Sequence, residues 1–99
     1  MHARTGRLEV SPALIDDVID ILRAEQLPRY RGQRGYKGFS VLADRDSGTI
    51  IGVSFWESQA DLDAAEELGE QTRSVAVEAG HAGVQPVTER WEVLLDDTA

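Results

Sequence analysis

The chain has 99 residues, 41% of them hydrophobic and 28% charged, with a net charge of −8 and no cysteine. This composition excludes a disordered tail, a disulfide framework and thiol chemistry, and its acidity opposes binding to nucleic acid or anionic membranes. With no apolar run near the roughly 20 residues that span a bilayer and no signal-peptide core, we expect one soluble, cytoplasmic domain over residues 1–99.

Residues 3–10 predict a weak first strand, which leads into an amphipathic helix. Ser11 is the predicted N-cap, and Pro12 suits the first helical position because its missing N–H would go unpaired there anyway. We expect the helix to end near Leu27, because a residue that precedes proline is disfavoured in the α region. Between these limits apolar residues recur at helical spacing, namely Leu14, Ile15, Val18, Ile19 and Leu22.

Two further strands are predicted over residues 36–44 and 49–57, with a turn at residues 44–48 between them. Ser58 is the predicted N-cap of a long second helix, and Asp61 completes a capping-box-like pair. Gly80 is expected to end this helix in the left-handed conformation, and a last strand runs from about Val84 to Leu95. One stripe of the second helix is small or apolar: Leu62, Ala65, Leu68, Thr72, Val75, Ala76 and Ala79.

The element order β-α-β-β-α-β predicts an α+β, ferredoxin-like fold, with both helices on one face of a four-stranded antiparallel sheet. The strands at 36–44 and 49–57 nevertheless carry apolar residues at both odd and even positions. A strand with one covered face needs only alternate apolar residues. We therefore expect a second copy of the chain to cover the other face of the sheet.

Three short motifs carry a family resemblance: Gly35-Tyr36-Lys37-Gly38-Phe39, Asp46-Ser47-Gly48 and Phe55-Trp56-Glu57-Ser58. With the element order, they make the sequence similar to the antibiotic biosynthesis monooxygenase family of dimeric α+β barrels. A proline commonly precedes the glycine–aromatic pair in that family, and Arg34 stands there in this chain. The resemblance implies a homodimer whose sheets face each other, with a hydrophobic pocket between sheet and helices in each subunit.

Some members of that family oxygenate aromatic polyketides without a cofactor, and others open haem oxidatively. The haem-degrading members use an asparagine on the first strand and a tryptophan and a histidine on the second helix. This chain has no asparagine, and the two helical positions fall near Ala65 and Val75. The resemblance therefore implies no haem chemistry. The two histidines are also too far apart in sequence to suggest a metal site, so we expect no metal and no cofactor.

A pocket for an electron-rich substrate needs a base or hydrogen-bond donors that stabilise its anion. Each candidate also has a structural alternative. Both tryptophans can be core or interface residues, Tyr36 can be a packing residue, and a histidine in a loop can simply be exposed to solvent. His2 shares a strand face with Arg4 but lies at a terminus. No catalytic residue is assigned, and the pocket candidates are Arg4, Tyr36, Phe39, Trp56, His81 and Trp91.

Two functions are weighed equally. The first is a cofactor-independent monooxygenase acting on a small aromatic or polyketide-like molecule, an inference from fold-level analogy. The second is a non-catalytic homodimeric module that binds a small hydrophobic ligand or assists a partner enzyme. A third hypothesis, RNA binding through the basic segment Arg29–Lys37, competes with the interpretation of that segment as a solvated surface.

Overall fold

The computed structural model describes residues 1–97, so the last two residues of the predicted domain lie outside the described part of the chain. Its four strands form one antiparallel sheet in the order β2-β3-β1-β4. The bounds are β1 His2–Glu9, β2 Tyr36–Asp44, β3 Thr49–Trp56 and β4 Val87–Glu92. The predicted ferredoxin-like α+β fold is confirmed.

The last strand is shorter than the predicted 84–95. It pairs with β1 from Val87, which lies opposite Arg7, to Glu92, which lies opposite His2. Beyond Glu92 one further backbone hydrogen bond joins the two segments, from the Val93 N–H to the Met1 carbonyl at 2.9 Å. At the other end the strand begins just after Pro86, which has no N–H to donate to a neighbouring strand.

The first helical region runs past the predicted stop at Leu27. A 3₁₀ turn at Pro12–Leu14 leads into α1 (Ile15–Ile21), a π-helical turn (Leu22–Gln26) and α2 (Leu27–Arg31). The Leu27 N–H donates to the Leu22 carbonyl, five residues back. The wider turn places Pro28 in the first turn of α2, where a missing N–H costs nothing.

The cap of the first helical region also differs from the prediction. The Ser11 side chain makes no capping hydrogen bond. Its backbone carbonyl instead accepts from the Leu14 N–H at 2.8 Å, which closes the 3₁₀ turn. The position of the helix start was predicted correctly, but the predicted capping by the Ser11 side chain was wrong.

The second helical region is split at Ala65 into α3 (Gln59–Ala64) and α4 (Glu66–Gly80). The predicted cap is confirmed: the Ser58 hydroxyl accepts from the Asp61 N–H at 3.1 Å and donates to the Asp61 carboxylate at 2.9 Å. The predicted stop at Gly80 is wrong by one residue, since His81 holds the left-handed conformation at φ 53°. Gly80 is instead needed for packing, because a Cβ there would overlap the Val10 side chain.

The buried side chains form two separate clusters between the sheet and the helices. One lies toward the hairpin end of β3, and it contains Leu8, Val10, Ile15, Val18, Leu22, Ile50 and Ala76. The other lies toward the far end of β3, and it contains Tyr30, Trp56, Leu62, Ala65 and Leu68. The space between these clusters positions the candidate site.

The opposite face of the sheet carries no element of the described chain. Strand alternation places Thr5, Val53 and Phe55 on that face. On the outer strands Leu42, Val87 and Trp91 are exposed. The sequence prediction that β2 and β3 carry apolar residues on both faces is thereby confirmed, whereas the second copy expected to cover this face stays a prediction.

Candidate functional site between the sheet and the helices

The cavity arises where two central strands both lack side chains. Gly6 of β1 lies directly opposite Gly52 of β3, and both belong to the helix-facing side of the sheet. A Cβ built on Gly52 would meet no atom within 4 Å. Since neighbours on the same strands, Leu8 and Ile50, are buried, the glycine pair leaves a gap between the two core clusters.

The gap is a cavity of about 50 Å³ with one apolar and one polar side. That volume holds a few atoms at most, since pockets for drug-sized ligands run to roughly 300–1,000 Å³. The apolar side is formed by Leu8, Leu22, Phe39, Val41, Ile50 and Ala76, and the polar side by Arg4, Tyr30, Ser54, Thr72 and Arg73.

Two arginines and one glutamate dominate the polar side. The Arg4 side chain is only 4% exposed, and its Nη2 lies 2.5 Å from Glu66 Oε2. Arg73 Nη2 donates to the other oxygen of the same carboxylate at 2.9 Å. Burial lowers the pKa of the Arg4 guanidinium, and the Glu66 carboxylate opposes that shift. The guanidinium stays charged at neutral pH, because arginine is not deprotonated in proteins.

The Arg4 guanidinium is only partly satisfied. Its Nη2 makes one further, long hydrogen bond of 3.4 Å to the Leu62 carbonyl. Within the described residues its Nε is buried with no hydrogen-bond partner. A buried donor left unpaired is costly, so this nitrogen is available to an acceptor that enters the cavity.

Tyr30 adds a neutral donor to the same side, and Thr72 adds a hydroxyl whose proton is already used. Burial raises the pKa of the Tyr30 phenol, and a hydrogen bond to Thr72 and the charge of Arg73 oppose that shift. Tyr30 is therefore protonated at neutral pH and can donate. The Thr72 hydroxyl lies 2.9 Å from the Leu68 carbonyl and 3.0 Å from Gln26 Oε1. It donates its one proton to either acceptor.

An aromatic cluster closes one end of the cavity. The Tyr30 ring contacts Phe39 at a centroid distance of 4.8 Å and Trp56 at 6.1 Å. Tyr36 packs edge-on against Trp56 at 6.0 Å. The Trp56 indole N–H donates to the Ser54 hydroxyl at 2.9 Å. Trp56 thus supports the cavity wall through Ser54 and keeps its own donor occupied.

A groove of about 420 Å³ runs along the outside of this wall, between α1 and the edge strand β2. Leu22, Phe39 and Val41 line both the groove and the cavity. Leu22 begins the π-helical turn, and such turns are frequent at functional sites. Leu22, Phe39 and Val41 are therefore the wall that separates the cavity from the groove.

The structure brings together four of the six residues singled out from the sequence. Arg4 and Phe39 line the cavity, while Tyr36 and Trp56 belong to the aromatic cluster behind it. His81 is exposed beyond the end of α4 and does not reach the cavity. Trp91 lies on the open face of the sheet, where its indole N–H donates to the Thr5 hydroxyl at 2.9 Å.

The basic segment Arg29–Lys37 does not form one surface of free cations. Arg29 donates to the Gln71 side-chain oxygen at 3.3 Å, and Arg34 lies 3.8 Å from Asp61. Tyr30, which lies between these arginines in sequence, is turned inward and buried. These contacts favour the interpretation of the segment as a solvated surface.

Sequence reasoning missed Gln26, Tyr30, Glu66, Thr72 and Arg73 as site residues. Leu22, Gln26 and Tyr30 are spaced four residues apart, and all three are buried. That spacing was a usable signal, but the predicted stop at Pro28 removed Tyr30 from the helix. Thr72 was placed correctly on the buried stripe. No local signal marks Glu66 and Arg73 as partners of Arg4, because that contact depends on how α4 crosses β1.

Two absences hold for the described residues. No group of three histidine, aspartate or glutamate side chains within residues 1–97 comes together in a way that could hold a metal ion. Over the same range, no helix is both long and apolar enough to cross a membrane.

Comparison with known proteins identifies a family for this chain. The family model described as antibiotic biosynthesis monooxygenase matches residues 1–77. Two uncharacterized proteins of Mycobacterium tuberculosis, Rv2557 and Rv2558, are each 31% identical to the chain. The first alignment covers 94% of this chain and 41% of the relative, and the second covers 96% and 39%. The chain thus spans about two fifths of the length of these curated relatives.

Solved structures share the fold at low identity. A monooxygenase of Streptomyces coelicolor in complex with the ligand nanaomycin D has a TM-score of 0.78 at 13% identity, covering 99% of this chain and 91% of its own. The haem degrader MhuD of Mycobacterium tuberculosis, with two haems bound in its active site, has a TM-score of 0.72 at 19% identity. The match covers 99% of this chain and 100% of MhuD. Likeness at this level of identity establishes the fold.

Proposed function

Because the chain belongs to the antibiotic biosynthesis monooxygenase family, we propose that it is a cofactor-independent monooxygenase of a small aromatic or polyketide-like molecule. The observation that carries the proposal is the cavity between the sheet and the helices, with apolar walls and the donors of Arg4 and Tyr30 on one side. The nanaomycin D complex of the Streptomyces coelicolor neighbour supports a small ligand in this fold.

The residues present suit an oxygenation in which the substrate supplies all the electrons. In the conversion of a phenol to a quinone, one atom of dioxygen enters the ring. The other leaves as water with the displaced ring hydrogen and the phenolic hydrogen. The reaction needs no external reductant. Arg4 and Tyr30 would donate hydrogen bonds to the substrate oxygen as it becomes negative, and the apolar walls would exclude water.

Haem does not fit these residues. The two positions that would carry the helical tryptophan and histidine are held by Ala65 and Val75, neither of which ligates iron. His2 and His81 are not among the residues that line the cavity. No step of the proposed reaction therefore involves haem.

A non-catalytic ligand-binding module is the second candidate, and one observation favours it. The ionisable groups that line the cavity are Arg4, Arg73 and Tyr30, and burial raises the pKa of the Tyr30 phenol further from neutrality. No lining group is a base near pH 7, so a substrate would have to reach the cavity already ionised. Without such a substrate the same cavity would bind and not react.

Oxygen uptake separates the two candidates. With a panel of phenols, a monooxygenase should consume one dioxygen per quinone formed and release water and no hydrogen peroxide, measured by absorbance and with an oxygen electrode on which added catalase returns no oxygen. Gly52→Val should reduce this rate to background, because its side chain fills the cavity. Gly83→Val is the matched control, since a Cβ on Gly83 also meets no atom within 4 Å but lies in a loop. Binding without oxygen uptake would favour the module.

We further propose that two chains associate through the open face of the sheet. Val53 and Phe55 are half-buried at the centre of that face, and Trp91 is 51% exposed beside them. Exposed apolar patches of this kind mark interaction surfaces. Because β2 and β3 carry apolar residues on both faces, a second copy of the same sheet is the occupant that matches the family's dimeric α+β barrel.

Val53→Asp tests this interface. The wild-type protein should have the mass of two chains by light scattering. The variant should have the mass of one chain or become insoluble, because association would bury an unpaired charge. Val84→Asp is the control, since Val84 is exposed in the loop before β4. A stable Val53→Asp dimer would show that this face is not the interface.

A further inference from the structure

The Arg4–Glu66–Arg73 cluster has an uneven balance of charge and exposure. Two guanidiniums share a single carboxylate. The Arg4 and Arg73 side chains are 4% and 19% exposed, but the Glu66 side chain is 42% exposed. Arg90, which lies opposite Arg4 in the sheet, is paired with Asp63. The cluster therefore keeps one uncompensated positive charge in a protein whose net charge is −8.

Within the cluster the two cations, Arg4 and Arg73, are largely buried, and the anion, Glu66, is partly exposed. A buried cation without adequate pairing is strongly unfavourable. Arg4 is fixed in the middle of β1, beneath Gly69 of α4, where even a Cβ would lie 3.3 Å from its Nη1. Glu66 is the first residue of α4, and its partly solvated side chain can turn outward without moving the backbone.

The free part of the Arg4 guanidinium has a defined chemistry. Nε–H and Nη2–H form one edge of the guanidinium, and that edge binds the two oxygens of a carboxylate in parallel. In this protein Nη2 is held by Glu66, and within the described residues Nε has no partner. Glu66 thus fills only half of an edge that a ligand carboxylate would fill completely.

We propose that the cavity binds a small aromatic carboxylate, with its carboxylate on Arg4 and Arg73 and its ring against the apolar wall, and that Glu66 occupies the cationic site until the ligand displaces it. The ring would lie over the gap left by Gly6 and Gly52 and displace Leu22 and Phe39 toward the adjoining groove, because the cavity of about 50 Å³ does not hold it alone. This inference rests on the proposed small-molecule site and specifies the class of ligand that the site selects.

The two tryptophans provide a spectroscopic test. The Trp56 indole N–H is bonded to Ser54, which lines the cavity, whereas the Trp91 indole lies on the opposite face of the sheet. Titration with benzoate should shift the Trp56 indole signal in a ¹⁵N–¹H spectrum and leave the Trp91 signal in place. Benzamide, the neutral analogue of the same shape, should bind about tenfold or more weakly, because it loses the charge-assisted hydrogen bonds.

Variants separate a ligand site from a structural ion pair. Glu66→Gln should tighten benzoate binding, because the competing carboxylate is gone, and Arg73→Gln should weaken it. A merely structural cluster would lose thermal stability in both variants with no change in benzoate affinity. Gly52→Val should abolish the Trp56 shift, and Gly83→Val should not.

The outcomes distinguish this inference from the proposed function. Equal binding of benzoate and benzamide, unchanged in Glu66→Gln, would overturn the anion site and leave a neutral aromatic site standing. Benzoate binding that survives Gly52→Val would place the ligand outside the cavity. That result would contradict both the anion site and the proposed function of the cavity. If neither probe moves the Trp56 signal in the wild type or in Glu66→Gln, the cavity is not a site for small aromatic molecules.

Discussion

Replacing Trp56 with alanine should lower the free energy of unfolding by about 3–5 kcal/mol, the range for truncating a large buried aromatic side chain. Trp56 is 0% exposed and is the largest fully buried side chain among the described residues. Its loss would also remove the ring contacts with Tyr30 and Tyr36 and leave the Ser54 hydroxyl without its donor. Urea denaturation followed by circular dichroism measures the change.

Trp91→Ala is the matched control, because it removes the same side chain from the open face of the sheet. The Trp91 side chain is half exposed and makes one hydrogen bond, to Thr5, so a loss of about 1 kcal/mol is expected within a single chain. If the sheets associate, that loss should grow with protein concentration, whereas the Trp56→Ala loss should not. Equal and concentration-independent losses would contradict the assignment of the two faces.

Replacing Gly35 with alanine should cost about 2–4 kcal/mol, the sum of a left-handed backbone term and the loss of a helix cap. Gly35 has φ 77°, and an added Cβ would overlap the Asp61 side chain. Asp61 makes the reciprocal cap with Ser58 at the start of α3. The substitution would therefore strain the loop before β2 and disturb the helix cap together, and thermal and urea unfolding would report both.

Gly83→Ala is the control for the glycine substitution, since it meets no atom within 4 Å and should change stability by about 0.5 kcal/mol or less. A double mutant isolates the overlap with Asp61. In an Asp61→Gly background, Gly35→Ala should cost only the backbone term of roughly 1–2 kcal/mol. A cost that is the same in both backgrounds would show that Asp61 plays no part.

The elements that the sequence predicted well are those set by local chemistry. The turn at residues 44–48 closes through a hydrogen bond from the Gly48 N–H to the Asp44 carbonyl, and the Ser58–Asp61 cap depends on residues three apart. Pro28 misled the prediction because its effect depends on the π-helical turn just before it. Gly80 misled it because a glycine near a helix end serves either the backbone or, as here, a close neighbour such as Val10.

The candidate site was less predictable because it is made by pairings between distant parts of the chain. Arg4 and Phe39 were singled out by residue type, but the cavity requires Gly6 to face Gly52, and that register joins residues 46 positions apart. The inward turn of Tyr30 depends on the helix continuing through Pro28. The Arg4–Glu66 contact depends on the packing of α4 over β1, which no local pattern encodes.

The split core has a mechanical consequence. The two hydrophobic clusters share the sheet but have no buried side chain in common, and the gap left by Gly6 and Gly52 lies between them. Both clusters nevertheless include a residue of α4, Leu68 in one and Ala76 in the other. The helix therefore bridges the gap, and the empty space at the centre cannot widen without disturbing the packing of both clusters together.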